Sequence, residues 1–546
     1  MAENFFAKKS VETLIAQAEE KEHKLKKVLG PVDLTFLGIG AIIGTGIFVL
    51  TGVAAAVHAG PAVIVSFVIS GLACALAALC YAEFASMIPV AGSAYTYAYA
   101  GLGELLAWVI GWDLILEYTV ASMTVAVGWS GYMVNLLDGL GIHLPQWATQ
   151  RPFNLPAVLI VALMTIILVK GIQESAKFNN FIVVVKLAVI VFFIGMGLFF
   201  LKPANWSPFV PFGFGGIMTG AAIVFFAYIG FDAVSTTAEE ARNPQRDLPI
   251  GIIASLIICT ILYIAVAAIL TGMIDVHNLA KDQSFLSAPI AFALKVVKQN
   301  WASAIISVGA IAGITSVLLV MLMGQPRVFF AMSRDRLLPE QMSKIHPRFQ
   351  TPWITTILTG VVAALGAMAF PIDKLAEMTN IGTLFAFAIV SSSVILLRVK
   401  SPAAKRPFRV PLFFLLAPLS IISSLYLMLS LPVLTWVRFL IWLDLGLLIY
   451  YFYGRRHSRL ADPALRRQKI DASSALKFFG FGLFANAALA GLLCLTTITG
   501  LTALRNWEEL KLTPHDVLPY IIGTFVLGVV LFVLGNRMKS KAPAKA

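Results

Sequence analysis

The chain has 546 residues, 59% of them hydrophobic and only 13% charged, with a mean hydropathy of +0.86. Soluble domains carry roughly 25% charged residues, so a soluble fold is excluded and the sequence reads as an all-α polytopic membrane protein. The formal charge of +13 sits in short segments between apolar runs, with no basic stripe interleaved with aromatics, and this excludes a nucleic-acid surface.

In chain order, residues 1–30 form a polar arm in which Lys8, Lys9, Lys21, Lys24, Lys26 and Lys27 alternate with acids. The arm lacks the short apolar core and cleavage site of a signal peptide and is expected to be cytoplasmic. Fourteen apolar segments follow, near 34–56, 61–88, 103–135, 154–172, 178–201, 214–238, 250–272, 302–330, 353–371, 381–399, 411–430, 432–453, 476–500 and 517–536. Cations concentrate in 327–348, 398–409 and 455–477. The positive-inside rule then puts both termini in the cytoplasm of a cell-membrane protein. Cys74, Cys80, Cys259 and Cys494 all lie in apolar runs, so neither a disulfide framework nor a metal cluster is implied.

The first segment, DLTFLGIGAIIGTGIFVLTGVAA, is long enough to cross a bilayer, which takes about 20 residues. Gly38, Gly40, Gly44 and Gly46 nevertheless crowd its middle together with Thr45. A dinucleotide fingerprint would need a βαβ unit, and none is present. Two readings remain: close helix packing on small residues, and a broken helix whose freed N–H groups hold an anionic group. Non-helical backbone at membrane depth is tolerated only where protein buries it or where it lines a cavity. The sixth segment carries a second candidate interruption at Phe225–Phe226–Ala227–Tyr228–Ile229–Gly230–Phe231, followed by Asp232. Interrupted helices at corresponding places of two five-span units point to a binding site between inverted repeats, and this favours the second reading.

Three stretches carry a family resemblance: GIGAIIGTGIFVLTG with the downstream HAGPA, FFAYIGFDAVSTTAEEARNPQRDLPIGI, and PRVFFAMSRDRLLP. With these the chain resembles the amino acid–polyamine–organocation superfamily, and within it the bacterial relatives of the cationic amino acid transporters. The resemblance implies a LeuT-like 5+5 inverted repeat with discontinuous first and sixth helices. The organisation it implies is a core at 31–400, spans eleven and twelve at 401–455, and spans thirteen and fourteen with a short tail at 456–546. It also implies secondary active uptake of amino acids. The substrate carboxylate would be held by backbone at Ile42, Ile43, Gly44, Thr45 and Gly46, and its amino group by carbonyls of Phe226, Ala227 and Ile229. Electrostatics agrees, since a half-helix N-terminus carries about +0.5 charge and freed carbonyls offer the opposite sign.

A charge at membrane depth is expensive and marks function by default. Lys186, inside the fifth span, is the most isolated such group. Desolvation disfavours the charged form of a buried amine, as a group that gains and loses a proton in a cycle requires. The resemblance adds that proton-coupled members carry a fifth-helix lysine where sodium-coupled relatives bind an ion, so Lys186 is expected to couple transport to protons. Asp113 and Glu117 share one face of the third span, four residues apart. The resemblance matches Glu117 with a carboxylate near the substrate, while Asp113 is either a second pocket group or part of a structural network. Asp232 is expected to organise the unwound sixth segment, and Glu83 to belong to an inner gate.

By the same resemblance, the eighth-span position that admits long cationic side chains in relatives is Met321 here. Its flexible apolar side chain predicts small neutral substrates such as alanine. The expected partners are an amino acid, protons and membrane lipid, with no cofactor, metal, nucleic acid or enzymatic activity. An exchanger or facilitator, possible also for cationic amino acids, would share every site residue, and an amino acid sensor would call for longer soluble tails. Spans thirteen and fourteen leave open a small partner subunit or a dimer.

Overall fold

The computed structural model describes residues 28–88, 93–149, 152–171 and 176–460, with single residues between 477 and 534. The arm at 1–27 lies outside the described residues, as do most of the expected spans at 476–500 and 517–536. Among the described residues the chain is all-helical, and its one β-type pairing is an isolated parallel bridge between Leu29 and Ala241.

The helices are α1 (Pro31–Ile42), α2 (46–59), α3 (Val63–Met87), α4 (Ser93–Gly101), α5 (Glu104–Gly139), α6 (Leu155–Lys170) and α7 (Ala176–Leu198), then α8 (Gly213–Val224), α9 (Ala233–Thr236), α10 (Pro244–Met273), α11 (Gln283–Ser287) and α12 (Pro289–Val296). After these come α13 (Asn300–Arg334), α14 (Trp353–Ala369), α15 (Ile372–Lys400), α16 (Phe413–Leu429) and α17 (Val433–His457). Among the described residues, eight helical stretches are long and apolar enough to cross a membrane, accompanied by four shorter apolar helices. With no water in hydrocarbon to satisfy backbone groups, helices are the spanning form an unbranched apolar run can take.

Burial separates inner from outer helices. The most apolar window of the segment Gly213–Ser235 is 89% buried and that of α5 is 83%, against 33% for α7 and for α17. The sixth segment and α5 therefore form the axis of the bundle. α5 packs against α13 and α15, while α10 packs against α3 and α1. Small residues let these helices close up in the way membrane packing favours; at Gly360 of α14, for example, an added Cβ would run into the Thr165 side chain of α6.

α1 opens with Pro31 at its first position and Asp33 in its first turn, where proline and an acid are both favoured. The Asp33 carboxylate accepts from the Gly30 N–H at 3.0 Å and from Asn180 of α7 at 3.1 Å. Several span boundaries depart from the sequence reading, and the largest shift is at the tenth span. The tenth span was expected from 381, but α15 begins at Ile372. Asp373, Lys374 and Glu377 dilute the hydropathy of its first turns, and the helix buries Glu377 by pairing it with Lys374 at 3.3 Å and Thr435 at 2.8 Å.

Candidate functional site

The helix started at Pro31 stops at Ile42. Ile43 turns to an extended conformation (φ −76°, ψ 100°), and Thr45 is helical again (φ −54°, ψ −30°) ahead of α2. A helix start leaves its first N–H groups without intrahelical acceptors, and a helix end leaves its last carbonyls without donors. Both kinds of orphan therefore meet within a few residues of Gly44. The carbonyls of the α1 end are taken up by side chains from other helices. Lys186 of α7 donates from Nζ to Gly40 O at 2.7 Å and Ile43 O at 3.0 Å, and Tyr263 of α10 reaches Ile42 O at 3.0 Å. Lys186 is fully buried, and a cationic group is favoured at a helix C-terminus.

The four glycines of this stretch each sit against a different neighbour. A Cβ at Gly38 would strike Ser255 of α10, at Gly40 Val183 of α7, at Gly44 Val317 of α13, and at Gly46 the backbone of Ala227. Close packing thus accounts for all four, and the helix break lies among them at Ile43–Thr45.

The second break follows α8. Residues Phe225–Tyr228 tighten to a 3₁₀ turn, Ile229 is extended (φ −61°, ψ 135°), and Gly230 takes φ +117°, a conformation that favours glycine. The carbonyls of the last α8 turn are again met by side chains. Ser70 of α3 donates to Ala221 O at 2.6 Å, and Asn380 of α15 donates to Ala222 O at 2.7 Å and Ile223 O at 3.1 Å.

The two breaks touch. Besides Gly46 on Ala227, a Cβ at Gly230 would lie 2.8 Å from Ala41 O. The Tyr263 hydroxyl, within reach of Ile42 O on one side, lies 2.8 Å from Ala227 O on the other. One hydroxyl has one proton, so it satisfies one of these carbonyls at a time. Ile42, Ile43, Gly44, Thr45, Gly46, Phe226, Ala227 and Ile229 are all buried here. The Thr45 hydroxyl finds no partner among the described residues, and the Thr45 side chain packs on Gly128 of α5.

Other expected residues surround this crossing. Met321 is buried on α13, one turn beyond the Val317 that packs on Gly44, and so lies on the same helix face. Glu117 is buried on α5 beside the Thr383 hydroxyl of α15, with Asp232 and Asp113 in its electrostatic neighbourhood. Asp113, fully buried against Gly382, has no hydrogen-bond partner for either oxygen among the described residues. Tyr263, Asn380 and Ser70 were missed by sequence reasoning. Tyr263 is one aromatic in a continuous apolar run, and Asn380 falls just before the expected start of the tenth span.

A cavity of about 1260 Å³ opens beside α2, lined by Val49, Val53, His58, Asn135, Lys295 and Asp373 among others. Asp373 stands in the first turn of α15; Arg398, 25 residues on, lies about 38 Å along that helix at 1.5 Å per residue. At that far end the buried Glu83 carboxylate of α3 is clasped by Arg398 through Nε at 2.9 Å and Nη2, by the Val410 N–H at 2.8 Å and by Arg406 at 3.4 Å. A cavity thus lies beside one end of α15 and a buried ion-pair cluster at the other. A backbone clasp joins the chain before α1 to the segment after α9: Leu29 N–H donates to Glu240 O at 3.0 Å and Arg242 N–H to Leu29 O at 2.9 Å.

A family model described as amino acid permease matches residues 29–449. A branched-chain amino acid permease of Bacillus subtilis is 52% identical over 469 residues, covering 84% of this chain and 100% of the relative. A methylthioribose transporter of the same organism is 51% identical over 464 residues, covering 84% and 99%. A vacuolar cationic amino acid transporter 4 of Arabidopsis thaliana is 40% identical over 410 residues, covering 72% and 67%.

Proposed function

The chain belongs to the amino acid permease family, whose members are multi-pass membrane transporters and not enzymes, and on that premise we propose that it imports α-amino acids by proton symport. The substrate is held where the two helix breaks cross. Its carboxylate takes the backbone donors of Gly44, Thr45 and Gly46 at the head of α2, and its ammonium takes carbonyl oxygens of Phe226, Ala227 and Ile229. The observation that carries this reading is the crossing itself, which sets a helix N-terminus against the unwound segment with their backbones in contact. Phe226 O there accepts from the Ile229 N–H at 3.2 Å and Ala227 O lies 2.8 Å from the Tyr263 hydroxyl, and each keeps a second lone pair for a ligand. A zwitterion has the two charges this gap can pair.

The organisation that goes with this function is a core at 31–400 of two inverted five-span repeats, spans eleven and twelve at 401–455, and two further spans at 456–546. Support for the repeat comes from α1 and α8, each a half-helix of 12 residues ending at a break. Both termini are cytoplasmic in this reading. The cavity beside α2 then faces outward and the Glu83–Arg398–Arg406 clasp is the closed inner gate.

Lys186 couples the cycle to protons. Protonated, its three N–H donors hold the carbonyls at the end of α1; on losing a proton it loses the positive charge that favours this position, and the α1 end is released to move. Substrate choice rests on α13, where Met321 fills the space a long cationic side chain would need, so small neutral amino acids such as alanine are preferred. A second reading, branched-chain substrates, is favoured by the permease that is 52% identical. The relative named for methylthioribose makes that compound, which is not an amino acid, the necessary counter-test.

The experiment is uptake into proteoliposomes of labelled alanine, leucine, arginine and methylthioribose, with and without an inward proton gradient. Alanine accumulation that needs the gradient and ignores sodium is the expected result. Sodium dependence would overturn the role of Lys186, and uptake of methylthioribose without any amino acid would overturn the substrate reading.

A further inference from the structure

We propose that Asn380 is a positioning residue for the ammonium half of the site, and the second-repeat counterpart of Lys186. The comparison of the two residues rests on the inverted-repeat reading given above. α1 and α8 are both 12-residue half-helices that end at a break. In the first repeat the last α1 turn is held by a side chain of the fifth span, Lys186, through Gly40 O and Ile43 O. In the second repeat the last α8 turn is held by a side chain of the tenth span, Asn380, through Ala222 O and Ile223 O. Lys186 and Asn380 both lie in the N-terminal half of their helices, and both are fully buried.

What Asn380 does follows from helix geometry. Were α8 to continue, Ala222 O would accept from the N–H of Phe226 and Ile223 O from the N–H of Ala227, four residues on. The two N–H groups of the Asn380 carboxamide occupy those acceptors instead. Its Oδ1 has no partner among the described residues, so the amide is oriented by its donors; flipping it would set Oδ1 against two carbonyl oxygens. The carboxamide therefore removes the incentive for the helix to propagate through Phe226 and Ala227. Their backbone stays unwound, in the form that presents carbonyls to the substrate. Because an amide does not titrate, this hold is constant across the cycle, while that of Lys186 can change with protonation.

The test uses the full-length protein with Asn380→Leu, which keeps the volume without donors, and Asn380→Ser, which keeps one donor. Amide hydrogen exchange of the peptide covering 225–231 is compared with alanine uptake. In Asn380→Leu, exchange at 226–229 slows as the helix extends, and the apparent KM rises about tenfold or more while Vmax stays within severalfold, since extension draws the Phe226 and Ala227 backbone into the helix and away from the substrate. The pH profile of uptake keeps its wild-type shape. Asn380→Ser gives the same changes at smaller amplitude, and carries both readouts where the leucine variant does not fold. A lowered melting temperature with unchanged KM and unchanged exchange makes Asn380 merely structural and overturns the proposal. If the wild type takes up no amino acid, the substrate reading fails, whereas the exchange of residues 226–229 still decides the role of Asn380.

Discussion

The two helix breaks pose one physical problem, and the protein answers it with different chemistry at each. Both half-helices end inside the bundle with carbonyls that have no helical donor, and both receive donors from a neighbouring helix. At the end of α1 the donor is the amine of Lys186, and at the end of α8 the carboxamide of Asn380 helped by Ser70. An amine can gain and lose a proton under biological conditions, and an amide cannot. Of two geometrically similar joints, then, only the first has a cap that can change its charge, and the proposed proton coupling assigns the response to it and a constant hold to the second. The Tyr263 hydroxyl links them, since it faces one carbonyl from each.

The largest expected effect comes from removing the titratable cap. Lys186→Met is expected to abolish gradient-driven accumulation of alanine, leaving at most exchange or downhill flux, as measured in proteoliposomes with an imposed proton gradient. Should that variant still concentrate substrate, the difference between the two joints has nothing to do with coupling. A parallel binding titration separates the roles. If the α1 joint only gates, alanine binding survives in Lys186→Met within about tenfold.

Next in size is the contact between the joints. Gly46→Ala pushes a methyl group into the Ala227 backbone, and overpacking of this kind costs about 1–3 kcal/mol. Uptake is expected to fall by an order of magnitude or more, together with the melting temperature. Gly44→Ala is the milder control. Its Cβ meets the Val317 side chain, with Cγ2 2.8 Å away, and a side chain can turn aside where backbone cannot. Equal damage from both substitutions would mean that the crossing of the breaks is not the sensitive point.

How much of this was readable without coordinates also differs between the joints. The first advertises itself, because four glycines and a threonine in a membrane-long run are costly to explain by helix formation alone, and Lys186 stands out as a charge among valines and isoleucines. The second is marked only by an aromatic run, a glycine and Asp232. Its cap was invisible, since Asn380 precedes the expected tenth span and a hydropathy window discounts the polar turn in which Asp373, Lys374 and Glu377 sit. Hydropathy reports how much a segment likes hydrocarbon. It does not report that a helix buries its acids by pairing them, as α15 does with Glu377. Tyr263 was unreadable for another reason: a tyrosine in an apolar run gives no sign of which carbonyls it will face.

A smaller effect is expected from cutting the link between the joints. Tyr263→Phe removes the donor shared by Ile42 O and Ala227 O, and a buried acceptor without a partner costs about 1–3 kcal/mol. The loss is expected in the rate of gradient-driven uptake more than in alanine affinity, because both caps remain. A fall in affinity with an unchanged rate, read from isothermal titration beside uptake, would place Tyr263 in substrate binding and take the link away.

The smallest expected effect on alanine itself comes from α13. If the two breaks bind only the carboxylate and ammonium that every α-amino acid carries, selectivity must be adjustable from outside them. Met321→Ser removes an apolar side chain one turn from Val317 and leaves both joints and their caps untouched. Alanine uptake is then expected to change by no more than severalfold, while leucine or arginine gains relative to it by about tenfold, the scale on which a pocket discriminates by size. Competition of unlabelled amino acids against labelled alanine measures this directly. A variant that lost alanine and gained nothing would show that Met321 supports the fold of the crossing, and that backbone and side-chain recognition are not separable in this site.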